Sequence, residues 1–230
     1  MSEAPGIFIT FEGGEGVGKS TQILLLAWRL EKAGISVLRL REPGGTAISE
    51  MIRQILLNPE NTDLDDMSEL LLYEAARAQL VSQVIEPALS RSITVLCDRF
   101  TDSTLAYQGI ARGLGFDLAE QANRFGSKGL IPHRTIVLTH DTQEALNRAV
   151  EEGADRLEAE GLDFHRKVAR GFERIAQRYP KRVRIVQNLP DKAQTAQAVF
   201  EQLRDLFPQV AGDDFEITEE LLERVREEHD

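Results

Sequence analysis

The sequence predicts an α/β fold: a five-stranded parallel sheet covered by helices on both faces. Three observations carry this expectation. Five short apolar, β-branched runs recur along the chain, amphipathic helical patterns separate them, and the first run leads directly into a glycine-rich phosphate loop. Strands buried on both faces read as continuous apolar runs, and right-handed crossovers between parallel strands require helices in between.

The first strand is expected over Ile7 to Phe11. Gly13 to Ser20 follow it as GGEGVGKS, which satisfies G-x-x-x-x-G-K-S/T. Glycines let backbone N–H groups turn inward around a polyphosphate, and the next helix adds its positive N-terminal end. Lys19 then neutralises outer phosphate charge, and Ser20 is of the type that ligates magnesium. Ile23, Leu26, Ala27 and Leu30 mark one face of the helix, with Gly34 as its stop. The second strand spans Ser36 to Leu40. Ile48, Ile52, Ile55 and Leu56 mark a helix ended by Asn58-Pro59. Ser68 can cap a longer one carrying Leu71, Leu72, Ala75 and Ala76, with a break or kink expected at Pro87. The third strand, Ile93 to Cys97, ends at Asp98-Arg99. Asp117 opens another helix, Thr135 to Thr139 form the fourth strand, and Phe164, Val168, Phe172, Ile175 and Tyr179 a further helix. Val183 to Val186 complete the sheet, and Val199, Leu203 and Phe207 mark the helix after it.

A chain of 230 residues with 42% hydrophobic residues suits one medium-sized domain. Its single cysteine, Cys97, sits in an apolar run and excludes an intrachain disulfide and cysteine-rich metal clusters. No stretch approaches the roughly 20 apolar residues needed to cross a bilayer, so no membrane partner and a cytoplasmic address are expected. The net charge of -11 speaks against a nucleic-acid polymer as partner. Residues 211–230 hold nine acids against Arg224 and Arg226. Phe215, Ile217, Leu221, Leu222 and Val225 there can form one apolar helical face, to dock on the body or a partner, or the end can remain solvated.

Ligands of such sheets bind beyond the carboxyl ends of the strands. The phosphate loop, Arg41 to Thr46, Asp98-Arg99 and the segment after Thr139 all fall there. Asp98 can help hold magnesium, and Arg99 can grip a phosphate bidentately. A GTPase would carry N/T-K-x-D and D-x-x-G, whereas Asp98 is followed by Arg99-Phe100-Thr101.

Five blocks identify a closer relationship: F11-E12-G13 through K19-S20; R41-E42-P43-G44-G45-T46; L72-Y73-E74-A75-A76-R77-A78-Q79; D98-R99 with S103 and A106-Y107-Q108-G109; and D155-R156 with F164. From about residue 6 to 208 the chain resembles the bacterial thymidylate kinases. The resemblance implies a phosphate-loop kinase fold with strand order 2-3-1-4-5 and a domain over residues 1–208 with a mobile lid near 142–160; the acidic tail over 209–230 is not explained by the family. It implies transfer of the γ-phosphoryl of ATP to dTMP with Mg2+, in a homodimer formed by helices flanking the second and third strands. Competing readings are a kinase for another nucleoside monophosphate, or a non-catalytic nucleotide-binding protein.

Residue roles follow from the same resemblance. Gly13, Gly14, Glu15, Gly16, Val17, Gly18, Lys19, Ser20 and Thr21 would hold the ATP phosphates, and Arg148 the adenine. Tyr73 would stack on thymine, Arg77 donate to its carbonyl and Thr104 bond the ring nitrogen. Glu15 would meet the 3'-hydroxyl, Tyr107 exclude a 2'-hydroxyl, and Arg41, Arg99 and Gln108 hold the acceptor phosphate. Lys19, Arg99, Arg156 and Asp98 would be catalytic, with Ser20 and Asp98 at the metal. The chain departs from the family pattern in lacking further lid arginines between Arg148 and Arg156, and in having His133-Arg134 and Gln187-Asn188.

Overall fold

The structure, a computed structural model describing residues 5–140, 156–157, 159–210 and 217–227, turns the five apolar runs into five parallel strands. They are β1 (Phe8–Glu12), β2 (Val37–Arg41), β3 (Thr94–Asp98), β4 (Arg134–Thr139) and β5 (Val183–Gln187), in the order β2-β3-β1-β4-β5. The expected order and number hold. The first three strands sit one residue further along than the apolar pattern placed them. The ladder continues past it, pairing Phe11 and Arg41 with Asp98 and Glu12 with Val137. That shift takes Glu12, Arg41 and Asp98 into the sheet at one edge.

The helices are α1 (Lys19–Lys32), α2 (Ala47–Leu57), α3 (Asp66–Leu80), α4 (Glu86–Ser90), α5 (Thr101–Thr104), α6 (Phe116–Gly126), α7 (Leu162–Arg178), α8 (Lys192–Glu201) and α9 (Glu219–Glu227). Pleating sends Ile9 and Phe11 to one face of the sheet, where they meet Ile23, Leu26 and Leu30 of α1 and Val199 and Phe200 of α8. Phe8, Val95 and Cys97 face the other side, against Leu80, Val81 and Ile85. Cys97 is fully buried, and burial pushes its thiol pKa up, which suits a structural role.

Local chemistry explains most boundaries. Thr46 caps α2 by accepting the Ser49 N–H at 3.1 Å, and Gly34, at φ 79°, ends α1. The cap of α3 is Asp65 and not Ser68: its Oδ1 accepts from the N–H groups of Met67 and Ser68 at 3.0 and 3.1 Å. Pro87 does not break the chain's helical course. A π-helical stretch, Val81–Ile85, joins α3 to α4 and places Pro87 in the first turn of α4, where a missing N–H costs little. Residues 101–111 form a helix that the apolar pattern did not announce, because Leu105–Ala111 are π-helical and do not keep the 3.6-residue period.

Of the stretch beyond residue 208, the structure describes 209–210 and 217–227. Ile217, Leu221, Leu222 and Val225 dock on Leu24, Leu25 and Trp28, the face of α1 turned away from the sheet. Arg224 lies over the Trp28 ring, 5.2 Å from its centroid. Phe215 lies outside the described residues, as does most of the expected lid, residues 142–155 and 158. Among the described residues, no helix is long and apolar enough to cross a membrane.

Candidate active site

A cleft of about 500 Å³ opens where β1, β2 and β3 end. Its floor is the phosphate loop. Gly13, Gly16 and Gly18 take positive φ values of 134°, 62° and 87°. At Gly13 even the space is closed to a side chain, since a Cβ would fall 2.3 Å from the Leu138 carbonyl oxygen. Lys19 curls back to donate to the Gly14 carbonyl at 2.8 Å. Burial pulls its pKa down and Arg99 adds to the effect, while Asp98, Glu15 and Glu12 oppose it. Ser20 Oγ donates to Asp98 Oδ2 at 3.3 Å, and Asp98 Oδ1 is buried with no hydrogen-bond partner among the described residues. A hydroxyl and an orphaned carboxylate oxygen at a loop built for phosphates form a hard-oxygen set that fits Mg2+. No cluster of three or more His, Cys, Asp or Glu side chains able to hold a metal occurs among the described residues.

Arg99 stands beside the loop in the left-handed region, at φ 67°. Its N–H donates to the Phe11 carbonyl at 2.9 Å. Its guanidinium donates to the Gly13 carbonyl at 3.0 Å, to Ser103 Oγ at 3.2 Å and, through Nη2, to Glu15. Tyr107 also donates to Glu15 Oε1, at 3.1 Å, and the Arg99 cation lies over the Tyr107 ring. Burial alone would raise the Glu15 pKa. Arg99, Lys19 and the Tyr107 hydroxyl outweigh it and hold the carboxylate ionised below its usual range.

Deeper in, Arg77 is 1% exposed and held by two carboxylates. Nε donates to Glu42 at 2.8 Å, and Nη1 to Glu74, to Thr104 Oγ1 at 3.0 Å and to Asn123 Oδ1 at 2.7 Å. Nη2 makes no such bond among the described residues. Arg77 lines the cleft along with Tyr73 and Thr104. Burial lifts the Glu42 pKa to about 7 against the pull of Arg77. Two buried carboxyls therefore share one guanidinium. The arginine is locked in orientation.

Thymidylate kinase is the family whose model matches this chain, over residues 11–199. The chain belongs to the thymidylate kinase family. It is 49% identical over 183 residues to a thymidylate kinase of Pelotomaculum thermopropionicum, a match covering 79% of this chain and 85% of that protein. The thymidylate kinase of Bacillus licheniformis is 45% identical over 204 residues, covering 87% and 94%. Among solved structures, the thymidylate kinase of Ehrlichia chaffeensis superposes with a TM-score of 0.70 at 32% identity, covering 86% of this chain and all of that one.

Of the residues that the family resemblance singled out, Glu15 to Thr21, Arg41, Tyr73, Arg77, Asp98, Arg99, Thr104, Tyr107 and Gln108 all line this one cleft. Arg41 sits at its half-exposed rim, 3.2 Å from Glu50. Gly13 and Gly14 line a small cavity of about 50 Å³ behind the loop, beside the buried His165. Arg148 lies outside the described residues. Arg156 does not line the cleft: it pairs with Glu69 and donates to the Leu56 carbonyl at 2.8 Å. Asn188, singled out in the sequence as a departure from the family pattern, also lines it, as do residues missed in the sequence, among them Arg53, Lys192 and Leu157. Arg53 could have been found as the basic interruption of the apolar helix 47–57. Lys192 and Leu157 come from distant chain segments and carry no local signal. The departures at 133–134 are structural, with His133 Nδ1 accepting the Phe8 N–H at 2.9 Å and Arg134 pairing with Asp205 at 2.7 Å.

Proposed function

We propose that this chain transfers the γ-phosphoryl of ATP to dTMP, giving dTDP and ADP, with the residues of the cleft in the following roles. An oxygen of the dTMP phosphate attacks the γ-phosphorus as the bond to the ADP oxygen breaks. That oxygen is already ionised near neutral pH, so no strong general base is required. The protein's task is alignment and charge compensation. The loop N–H groups and Lys19 hold the ATP phosphates. Arg99, with Arg41 on the rim, draws the acceptor phosphate toward them. Mg2+ held near Ser20 and Asp98 would offset phosphate charge. Arg148 remains the candidate for the adenine.

Acceptor selection follows from the buried cluster. Tyr73 offers a stacking face, which any base would satisfy. Arg77 can only donate, so it favours the carbonyl edge of thymine over the amino edge of cytosine, which would leave it unpaired. Thr104 lies beside it for the ring nitrogen. Glu15 and Tyr107 meet the deoxyribose, and Gln108 supports the acceptor side.

The observation that carries this reading is the single cleft running from the phosphate loop to Tyr73 and Arg77, with Arg99 and Glu15 between. A coupled ADP-release assay comparing dTMP, dUMP, dCMP and dGMP tests it, with dTMP expected to give the highest kcat/KM. Faster turnover of another acceptor would reject the assignment.

A homodimer is part of the same proposal. Ile48, Met51 and Ile55 on α2 and Met67 and Leu71 on α3 are exposed apolar residues on two helices packed on each other. Such a surface suits a second copy of the chain, and sedimentation at micromolar concentration should give twice the monomer mass. A cytoplasmic address is part of the same proposal.

A further inference from the structure

Glu69 is a carboxylate with no solvent exposure, on α3 below the acceptor end of the cleft. Its oxygens receive Gln108 Nε2 at 2.7 Å, Arg112 Nη2 and Nε at 3.2 and 3.4 Å, and Arg156 Nη2. Arg156 is committed further: Nε donates to the Leu56 carbonyl at 2.8 Å, and its backbone N–H to the Leu57 carbonyl at 3.3 Å. Arg112 continues the network to Glu160, with its cation 4.7 Å from the centroid of the Phe164 ring. One buried side chain thus ties together α2, α3, the π-helical stretch 105–111 and the chain entering α7.

Two of the residues so held line the cleft. Gln108 is anchored directly. Leu157, next to Arg156, packs into the cluster that contains Tyr107 and Phe172 and has Tyr73 on its edge. We propose that Glu69 is a positioning residue for the acceptor site, and that Arg156 acts through Glu69, fixing Gln108 and Leu157, rather than as a cation on the transferred phosphoryl group. For Arg156 to reach the phosphoryl, it would abandon a fully buried carboxylate, leaving Arg112 as the one guanidinium on Glu69. A buried charge that loses a partner is heavily penalised, which favours keeping the observed pairing during turnover. The inference rests on reading this cleft as the dTMP site and assigns two of its supports.

Steady-state kinetics of Arg156→Ala, Arg156→Lys, Glu69→Gln and the double variant Arg156→Ala/Glu69→Gln test it, with wild-type turnover of dTMP checking the underlying reading separately. A positioning role shows in KM: Arg156→Ala and Glu69→Gln each raise KM for dTMP about tenfold, with kcat lowered by less than about fivefold. Arg156→Lys recovers part of the loss, and the double variant raises KM by less than the product of the two single effects, as expected for side chains in contact. A fall in kcat of about 100-fold or more in Arg156→Ala with KM for dTMP unmoved would overturn the proposal and return Arg156 to the reacting phosphates. So would an Arg156→Ala enzyme with both parameters unchanged. Should Glu69→Gln fail to fold, Arg156→Ala decides alone, because it keeps Arg112 on Glu69.

Discussion

Glu42 and Glu12 show what burial does to single residues at the end of a strand. Glu42 faces Arg77 and Glu74, and its pKa rises to about 7. Glu12 accepts from the Phe100 N–H at 2.9 Å and from Ser103, and burial together with the charge of Asp102 lifts it to about 8. Both exceed the ordinary value of 4.5, so the folded protein keeps protons that the unfolded chain releases. Their contribution to stability is complete below about pH 4.5 and is lost as pH rises through 7 to 8, because the unfolded state binds fewer protons in that window. Glu15 and Glu50, held below 4.5, stay ionised throughout it. Thermal unfolding should therefore give a lower Tm at pH 8.5 than at pH 5.5, and Glu42→Gln should narrow the gap. A gap as wide in the variant would show that Glu42 does not hold the proton. Arg77 illustrates how far a residue's role could be read in advance. Its spacing from Tyr73 put both on one helix face, but the two carboxylates that fix its orientation come from the turn after β2 and from its own helix. Only folding brings Glu42 to it.

Elements meet where small residues allow it. Gly126, near the end of α6, lies so close to α3 that a Cβ would fall 1.9 Å from Glu74 Oε2 and 3.1 Å from Glu74 Cα. Gly126→Ala must push Glu74 aside and loosen its grip on Arg77. Denaturant unfolding should show a loss of about 1–3 kcal/mol, the usual cost of overpacking a tight contact, and titration with dTMP should show weaker binding. Unaltered binding would mean that α6 does not bear on the cleft around Arg77. Strands and amphipathic helices were legible because one face or both repeat an apolar type with a regular period. The helix over 101–111 was not, since a π-helical turn breaks that period, and its Tyr107 and Gln108 were found through a family motif instead. Helix α2 misled differently. Its apolar stripe reads as a core face, yet Ile48, Met51 and Ile55 are exposed in the single chain, and Leu56 alone of that helix's apolar residues is fully buried.

At the scale of the whole molecule, α9 closes the outer face of the phosphate-loop helix. Residues 22–30 of α1 are buried almost all round, toward the sheet through Ile23, Leu26 and Leu30 and toward the tail through Leu24 and Leu25. A helix apolar on every side needs cover on every side. Removing residues 211–230 should uncover Leu24, Leu25 and Trp28 and cost about 2–4 kcal/mol, the scale of one or two buried aliphatic side chains. Trp28, the only tryptophan in the chain, should report the loss as a red shift in emission. An unshifted spectrum with an unchanged Tm would show that α9 does not hold to α1. By itself the sequence determined the sheet, the alternation of layers, the phosphate loop and most side chains of the cleft, since each rests on a local period or on a short motif whose geometry is set by backbone sterics and glycine. Tertiary structure alone decided the company those side chains keep. Glu42 on Arg77, Glu69 on Arg156, α9 on α1 and Lys192 at the cleft are contacts between segments distant in sequence, made only when burial leaves a charge or an apolar face no other partner.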